Sequence, residues 1–259
     1  MKVFPRLRRR SSEERTGTMT VVEHLEELRS RLVVSLVAIG IGAVVGWFLY
    51  DPVIRALKGP YCDYWRTLPE DLRATQGCVL VFLGPLDGMI VKLKAVFFLG
   101  VIIAVPVLLW ELWRFIVPGL TPRERKMAVP FLASSTLLFL LGVAFAYWTL
   151  PKGLSFLLGF AGTTLTPFLN GSQYLTFVML VAFAFGVSFE FPILLIFLEL
   201  AGILSSQRLR AWRRYAILFI ALFAAIITPS SDPYTMLAMM IPMYLFYEAA
   251  IIVGRLMKR

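Results

Sequence analysis

Apolar residues in this chain fall in long unbroken runs. They show neither the two-residue alternation of a half-buried strand nor the narrow stripe of a surface helix. A helix that crosses a bilayer needs about 20 mainly apolar residues. Such runs lie at about 32–50, 93–117, 129–150 and 174–201, with two more modest ones at 215–228 and 233–254. The pattern predicts an all-α integral membrane protein with six transmembrane helices, and an even number of crossings returns both termini to one side. An outer-membrane barrel is excluded because its strands would alternate residue by residue. No repeat relates the two halves, so an inverted-repeat transporter architecture has no support. Residues 1–20 read as a basic tail and 21–255 as the membrane domain.

Composition agrees. Of 259 residues, 59% are hydrophobic and 16% charged, and the mean hydropathy is +0.77. Soluble domains hold about 45–50% apolar and about 25% charged residues. An ordinary soluble enzyme, a disordered chain and a disulfide-dense secreted module are all excluded. The net charge of +10 resembles that of a nucleic-acid binder. Here, however, the bases sit between apolar runs, where they report topology instead. Nineteen of the 26 Lys and Arg residues fall on the side of the termini, in the segments before run one, between runs two and three, between runs four and five, and after run six. The rule that cytoplasmic loops are positive puts both termini in the cytoplasm (N-in/C-in). Run one ends in Trp47-Phe48-Leu49-Tyr50 rather than in small residues, so it reads as a retained helix and not a cleaved signal. Met19 is an alternative start.

The first outer loop, from Asp51 to about Lys92, carries both cysteines, Cys62 and Cys78. On an oxidising side they read as a structural disulfide or as two free thiols. A metal site is a poor fit, because the single histidine, His24, lies on the opposite side. Run five is short if it begins at Tyr215; the alternative is a start near Arg210, with arginines snorkelling to the headgroups. The polar turn Thr228-Pro229-Ser230-Ser231-Asp232-Pro233 follows it. Together they mark a zone where the bilayer thins or the flanks snorkel. Prolines at 106, 130, 192 and 242 are expected to bend their helices.

Glu190, Glu199 and Glu248 are carboxylates that interrupt the apolar runs. Glu190 is near the middle of run four, while Glu199 and Glu248 lie closer to a boundary. A buried intramembrane carboxylate reads first as functional, facing a cavity or a partner. On its own, Glu190 leaves open a proton-coupled small-molecule transporter. An intramembrane hydrolase lacks a nucleophile–base pair or metal ligands. No phosphate-binding Gly-x-x-x-x-Gly-Lys-Ser/Thr loop occurs, so no cofactor is expected and energy must come from outside the chain.

A second cluster precedes run one. In Glu23-His24-Leu25-Glu26-Glu27-Leu28-Arg29-Ser30-Arg31, Glu27 and Arg31 are four apart and pair on a helix. Leu25, Leu28 and Leu32 form an interfacial stripe. After run two, Pro118-Gly119 ends a helix, and Thr121-Pro122 with Glu124 spells the start of the next. Glu124 is therefore either a cap or, beside Glu27, part of an acidic patch able to grip guanidinium groups through bidentate bonds.

These segments resemble the TatC family, the core membrane subunit of the twin-arginine protein translocase. The resemblance is carried by His24-Leu25-Glu26-Glu27-Leu28-Arg29, by Phe115 to Pro118 with Glu124, by Ser134-Ser135 and Gly142-x-Ala144-Phe145-x-Tyr147, and by Gly186-Val187-Ser188-Phe189-Glu190-Phe191-Pro192. It implies a concave, glove-like bundle in the bacterial cytoplasmic membrane. It implies binding of signal peptides with two consecutive arginines, and recruitment of the single-span subunits TatA and TatB to export folded cargo, within a homo-oligomeric complex. By the same resemblance, Glu27 and Glu124 accept the arginines, with Arg29 and Phe115 shaping the patch. Glu190 is the polar group of the concave face. Thr228, Pro229 and Asp232 border a partner-helix site.

Overall fold

The computed structural model describes residues 21–68, 77–116, 128–160, 169–229 and 232–257. Among them the chain is helical: α1 (Val21–Phe48), α2 (Tyr50–Thr67), α3 (Asp87–Ile116), α4 (Ala128–Gly159), α5 (Gly171–Ser188), α6 (Phe191–Leu200), α7 (Ser206–Ala211), α8 (Arg213–Ile227) and α9 (Pro233–Met257). One isolated parallel bridge joins Val81 to Asn170. Five stretches are long and apolar enough to cross a membrane: α1, α3, α4, α5 together with α6, and α9. The fifth predicted run is α8, whose 15 residues span roughly 22 Å against a hydrocarbon core of about 30 Å.

With lipid as apolar as leucine, helices associate by close approach rather than by hydrophobic exclusion. Small residues therefore mark the contacts. Gly42 and Gly46 of α1 face Gly100 of α3, and a Cβ added at Gly100 would lie 2.8 Å from the Ala43 nitrogen and the Ile39 oxygen. The other faces of α1 present Leu36, Ile41, Val44 and Phe48 outward. A second crossing brings Gly142 of α4 onto α5, where a Cβ would sit 2.6 Å from the Phe185 oxygen. Around it packs the core of Val178, Val181, Phe185, Met239, Met243 and Ile251.

The segment after α1 contains a helix where a loop was expected. Residues Ile54, Leu57, Tyr61 and Tyr64 recur at helical spacing and pack onto the core. Pro60 lies inside this helix, so Ala56 loses its backbone donor. Two tyrosines repair the break. The Tyr147 hydroxyl donates to the Ala56 carbonyl at 3.0 Å. The Tyr174 hydroxyl enters the next rung, accepting from the Tyr61 N–H at 3.1 Å and donating to the Leu57 carbonyl at 3.0 Å. Cys62 and Cys78 are bonded as a disulfide, the first of the two readings, tying α2 to the segment that bridges Asn170. Asn170 caps α5, its side chain accepting from Ser172 N at 2.8 Å. Lys92 stands 4.1 Å over the Trp47 ring at this end of the bundle.

Run four is one span broken at Phe189-Glu190. Pro192, in the first turn of α6, has no N–H for the Ser188 carbonyl, and the Glu190 N–H turns to Val187 instead. Of the four prolines expected to bend helices, Pro192 sits in a first turn, where a missing donor costs little, and Pro130 lies at the edge of the described residues. Only Pro106 and Pro242 are interior. Helix α6 closes on Gly202 at φ +72°, with the Ile203 N–H bonded to the Leu198 carbonyl and the Gly202 N–H to that of Glu199.

Two substitutions test this packing. Tyr174→Phe orphans a backbone N–H and a carbonyl in α2 and is expected to destabilise by about 1–3 kcal/mol, read as a lower thermal midpoint of the detergent-solubilised protein. Gly100→Leu forces α1 off α3 and lowers the midpoint as well, by about 1–3 kcal/mol or more. Gly40→Leu on α1, whose Cβ would meet nothing within 4 Å, leaves it unchanged.

Candidate functional site

The start of α1 and the end of α3 meet at one end of the bundle and bring four ionisable groups together. The Arg31 guanidinium donates to Glu27 Oε1, one turn before it on α1. It also reaches across to Glu111 Oε2 on α3 at 3.3 Å. Arg114 approaches the other Glu111 oxygen at 3.7 Å. The side chains of Arg31, Glu27 and Glu111 are only 14%, 22% and 9% exposed. Such burial is tolerable only with opposite charge in contact. Glu27 Oε2 and Arg31 Nε are buried yet have no hydrogen-bond partner among the described residues. Beside this network the His24 ring stacks on Phe115, centroids 4.5 Å apart.

The structure thus joins Glu27 to Arg31 as the sequence spacing predicts, and places Phe115 next to the same helix start. Arg29 is exposed and enters neither the ion network nor the ring stack among the described residues. Glu124, with the Thr121-Pro122 cap, lies outside the described residues. Glu111 was missed. It stands in Trp110-Glu111-Leu112-Trp113 near the end of run two, and the test applied to Glu190, a carboxylate inside an apolar run, identifies it equally well.

Glu190 faces a cavity of about 480 Å³ between α3, α4, α5 and α6, with Phe223 of α8 on its wall. Val105, Leu109, Trp113, Phe139 and Phe183 make the lining apolar, and Ser135 and Ser188 are the other polar side chains. The Ser188 hydroxyl is committed to the Ala184 carbonyl at 2.7 Å, whereas Ser135 hydrogen-bonds Glu190. Glu190 Oε1 is buried without a hydrogen-bond partner among the described residues. Glu248 differs, pairing with Arg213 at 2.5 Å and accepting from the Tyr244 hydroxyl at 3.1 Å. Glu199 is buried against Gly254 of α9.

At the opposite end, Thr228 and Asp232 have internal work. The Thr228 hydroxyl donates to Ala224 O at 2.8 Å, and Asp232 caps α9 by accepting from Thr235 N at 2.8 Å. Both are buried, and Pro229 is the exposed member of that trio.

The profile of the family described as Sec-independent protein translocase protein (TatC) matches residues 23–242. The Sec-independent protein translocase protein TatC of Frankia casuarinae is 44% identical over 255 residues, which are 97% of this chain and 70% of that one. The protein of the same name from Aquifex aeolicus is 38% identical over 244 residues, covering 93% and 97%. A crystal structure of the twin-arginine translocase receptor TatC superposes with a TM-score of 0.75 at 37% identity, over 92% of this chain and 100% of that one. The helix-start motif, the broken fourth span and the glycine crossing between α4 and α5 fall within these matches, and the chain belongs to the TatC family of Sec-independent protein translocase proteins.

Proposed function

We propose that this protein is the receptor for twin-arginine signal peptides and the core of a translocase that exports folded proteins across the bacterial cytoplasmic membrane. It crosses six times with both termini in the cytoplasm. The short α8 completes the count by local thinning, with Arg214 at its entry reaching the headgroups. The disulfide supports this sidedness, since bonded cysteines persist on the oxidising side. The small-molecule transporter reading of Glu190 gives way to the family assignment.

The observation that carries the receptor reading is the half-buried Glu27–Glu111 pair at the end of the bundle held to be cytoplasmic. A carboxylate there meets a guanidinium in a medium less screening than water, where charge-assisted bonds are strong. Phe115 and His24 supply a flat wall beside it. In this reading Glu124 joins Glu27 as an acceptor and Arg29 borders the patch. The apolar part of the signal peptide then continues along the bundle.

Glu190 serves the next step. Its apolar cavity suits a hydrophobic helix, and its unpartnered oxygen accepts a hydrogen bond from a polar group on that helix. TatA and TatB supply such single-span helices. The turn at Pro229, shaped from within by Thr228 and Asp232, borders a second contact for them. The complex holds more than one copy of this chain.

Fluorescence anisotropy of a labelled twin-arginine peptide on the full chain in lipid nanodiscs tests the assignment. Glu27→Gln is expected to weaken binding about tenfold or more, the loss of a hydrogen bond to a charged group. The Glu27→Gln, Glu124→Gln double variant is expected to abolish binding while the chain stays folded by circular dichroism, at some cost in thermal midpoint because Glu27 is a partner of Arg31. Unchanged affinity in the double variant overturns the site.

A further inference from the structure

Resting on the receptor reading, we propose that Arg31 is a built-in guanidinium that occupies the peptide-binding carboxylate of the empty receptor and yields it to an arginine of the signal peptide. Arg31 carries the same group as the ligand and sits on the same acceptor. It is an internal competitor, and it sets how good a cation must be to enter.

The geometry of the contact makes the exchange feasible. A guanidinium and a carboxylate pair most strongly side-on, with two parallel N–H···O bonds. Arg31 does not achieve this with Glu27. Its two terminal nitrogens are divided between Glu27 Oε1 on its own helix and Glu111 Oε2 on α3. The second Glu27 oxygen and the Arg31 Nε are left buried and without partners among the described residues. The cause is the tether. Arg31 is one turn from Glu27 on its own helix and is drawn across the helix pair by Glu111, so its fork is split between the two carboxylates. An arginine on a peptide is free of that constraint. It can approach Glu27 side-on and bond both oxygens, which the resident group leaves half used.

The same arrangement explains why a competitor is present. Two carboxylates that are 22% and 9% exposed repel and are poorly hydrated. Emptied of cations, the pair would repel and open. Arg114 alone is a weak counter-ion for Glu111, at 3.7 Å and with its own side chain 56% exposed. Arg31 keeps the empty site neutral and closed. When a peptide arginine takes Glu27, Arg31 remains on Glu111, so neither carboxylate is stranded at any stage.

A selectivity follows. A lysine ammonium is a compact point charge that cannot fork. Against a vacant carboxylate it would bind by charge alone, but here it must displace a guanidinium already in place. Discrimination between partners is a difference of affinities, and an internal competitor widens it by penalising the weaker ligand. Arg31 is thus a specificity-determining residue.

The experiment measures binding of a twin-arginine peptide and its twin-lysine counterpart to the full chain in nanodiscs. The receptors are wild type, Arg31→Gln, Arg31→Lys and Glu27→Gln. Removing the competitor raises the competent fraction, so Arg31→Gln should bind the twin-arginine peptide about three- to tenfold more tightly. The twin-lysine peptide should gain more, narrowing the ratio between them. Arg31→Lys keeps the charge that stabilises the pair and should give a smaller gain of the same sign, so the result survives if Arg31→Gln fails to fold. Weaker or unchanged twin-arginine binding in the Arg31 variants, with wild-type binding still dependent on Glu27, overturns the competitor role. Wild-type binding that ignores both Glu27 and the arginine–lysine difference instead overturns the receptor reading.

Discussion

Away from water, a backbone N–H or carbonyl without a partner costs several kcal/mol, because no solvent molecule stands ready to replace what the chain fails to supply. Helices meet this constraint for most of their length, and the informative parts of this protein are the places where a helix is broken. At Pro60 the missing donor is answered by tyrosine hydroxyls from two other helices. At Pro192 the ladder slips by one residue, and the Ser188 hydroxyl, Glu190 and the cavity cluster around the gap. At Thr228 and Asp232 side chains close the helix ends that a tight turn leaves open. Each repair fastens one element to another, so the points of backbone deficit double as points of tertiary attachment.

Charge obeys the same rule with higher stakes. The carboxylates buried or half-buried at the bundle's basic end are handled differently. Glu248 has Arg213 and a tyrosine, Glu27 and Glu111 share Arg31, and Glu199 is packed against a glycine. Of these, the shared arginine joins α1 to α3 by charge. The glycine contact at Gly42 and Gly100 joins the same pair midway along by close approach. The two devices complement one another, since small-residue packing holds the distance between the helices and the ion network holds their register.

Much of this could be read before the fold was known, because lipid imposes a pattern coarse enough to see in one sequence. Each apolar run has a helix over it, although α1 starts 11 residues before its run and α4 ends nine after. Glu27 and Arg31 paired as their spacing required. The short fifth run is short in the structure too. What escaped reading was long-range or masked by a stronger signal. The α2 helix went unseen because its polar residues suggested a loop, although Ile54, Leu57, Tyr61 and Tyr64 carried the helical period. Tyr147 and Tyr174 gave no sign of their task, since a hydroxyl that repairs a helix more than 90 residues away leaves no local trace. Glu111 was overlooked between two tryptophans. The role of Thr228 and Asp232 as caps shows how a polar turn satisfies its own backbone before it offers anything to a neighbour.

The stitching of α2 carries a consequence for how the protein is made. Ribosomes release the chain from its N-terminus, so Gly59-Pro60 emerges long before Tyr147 and Tyr174. Until those two hydroxyls arrive, the Ala56, Leu57 and Tyr61 backbone groups rely on solvent, which exists outside the bilayer but not within it. Helix α2 therefore waits on the wet side of the membrane until α4 and α5 have been made, and docks only after them. A chain interrupted before Tyr174 would carry all the residues of α2 and none of the means to finish it.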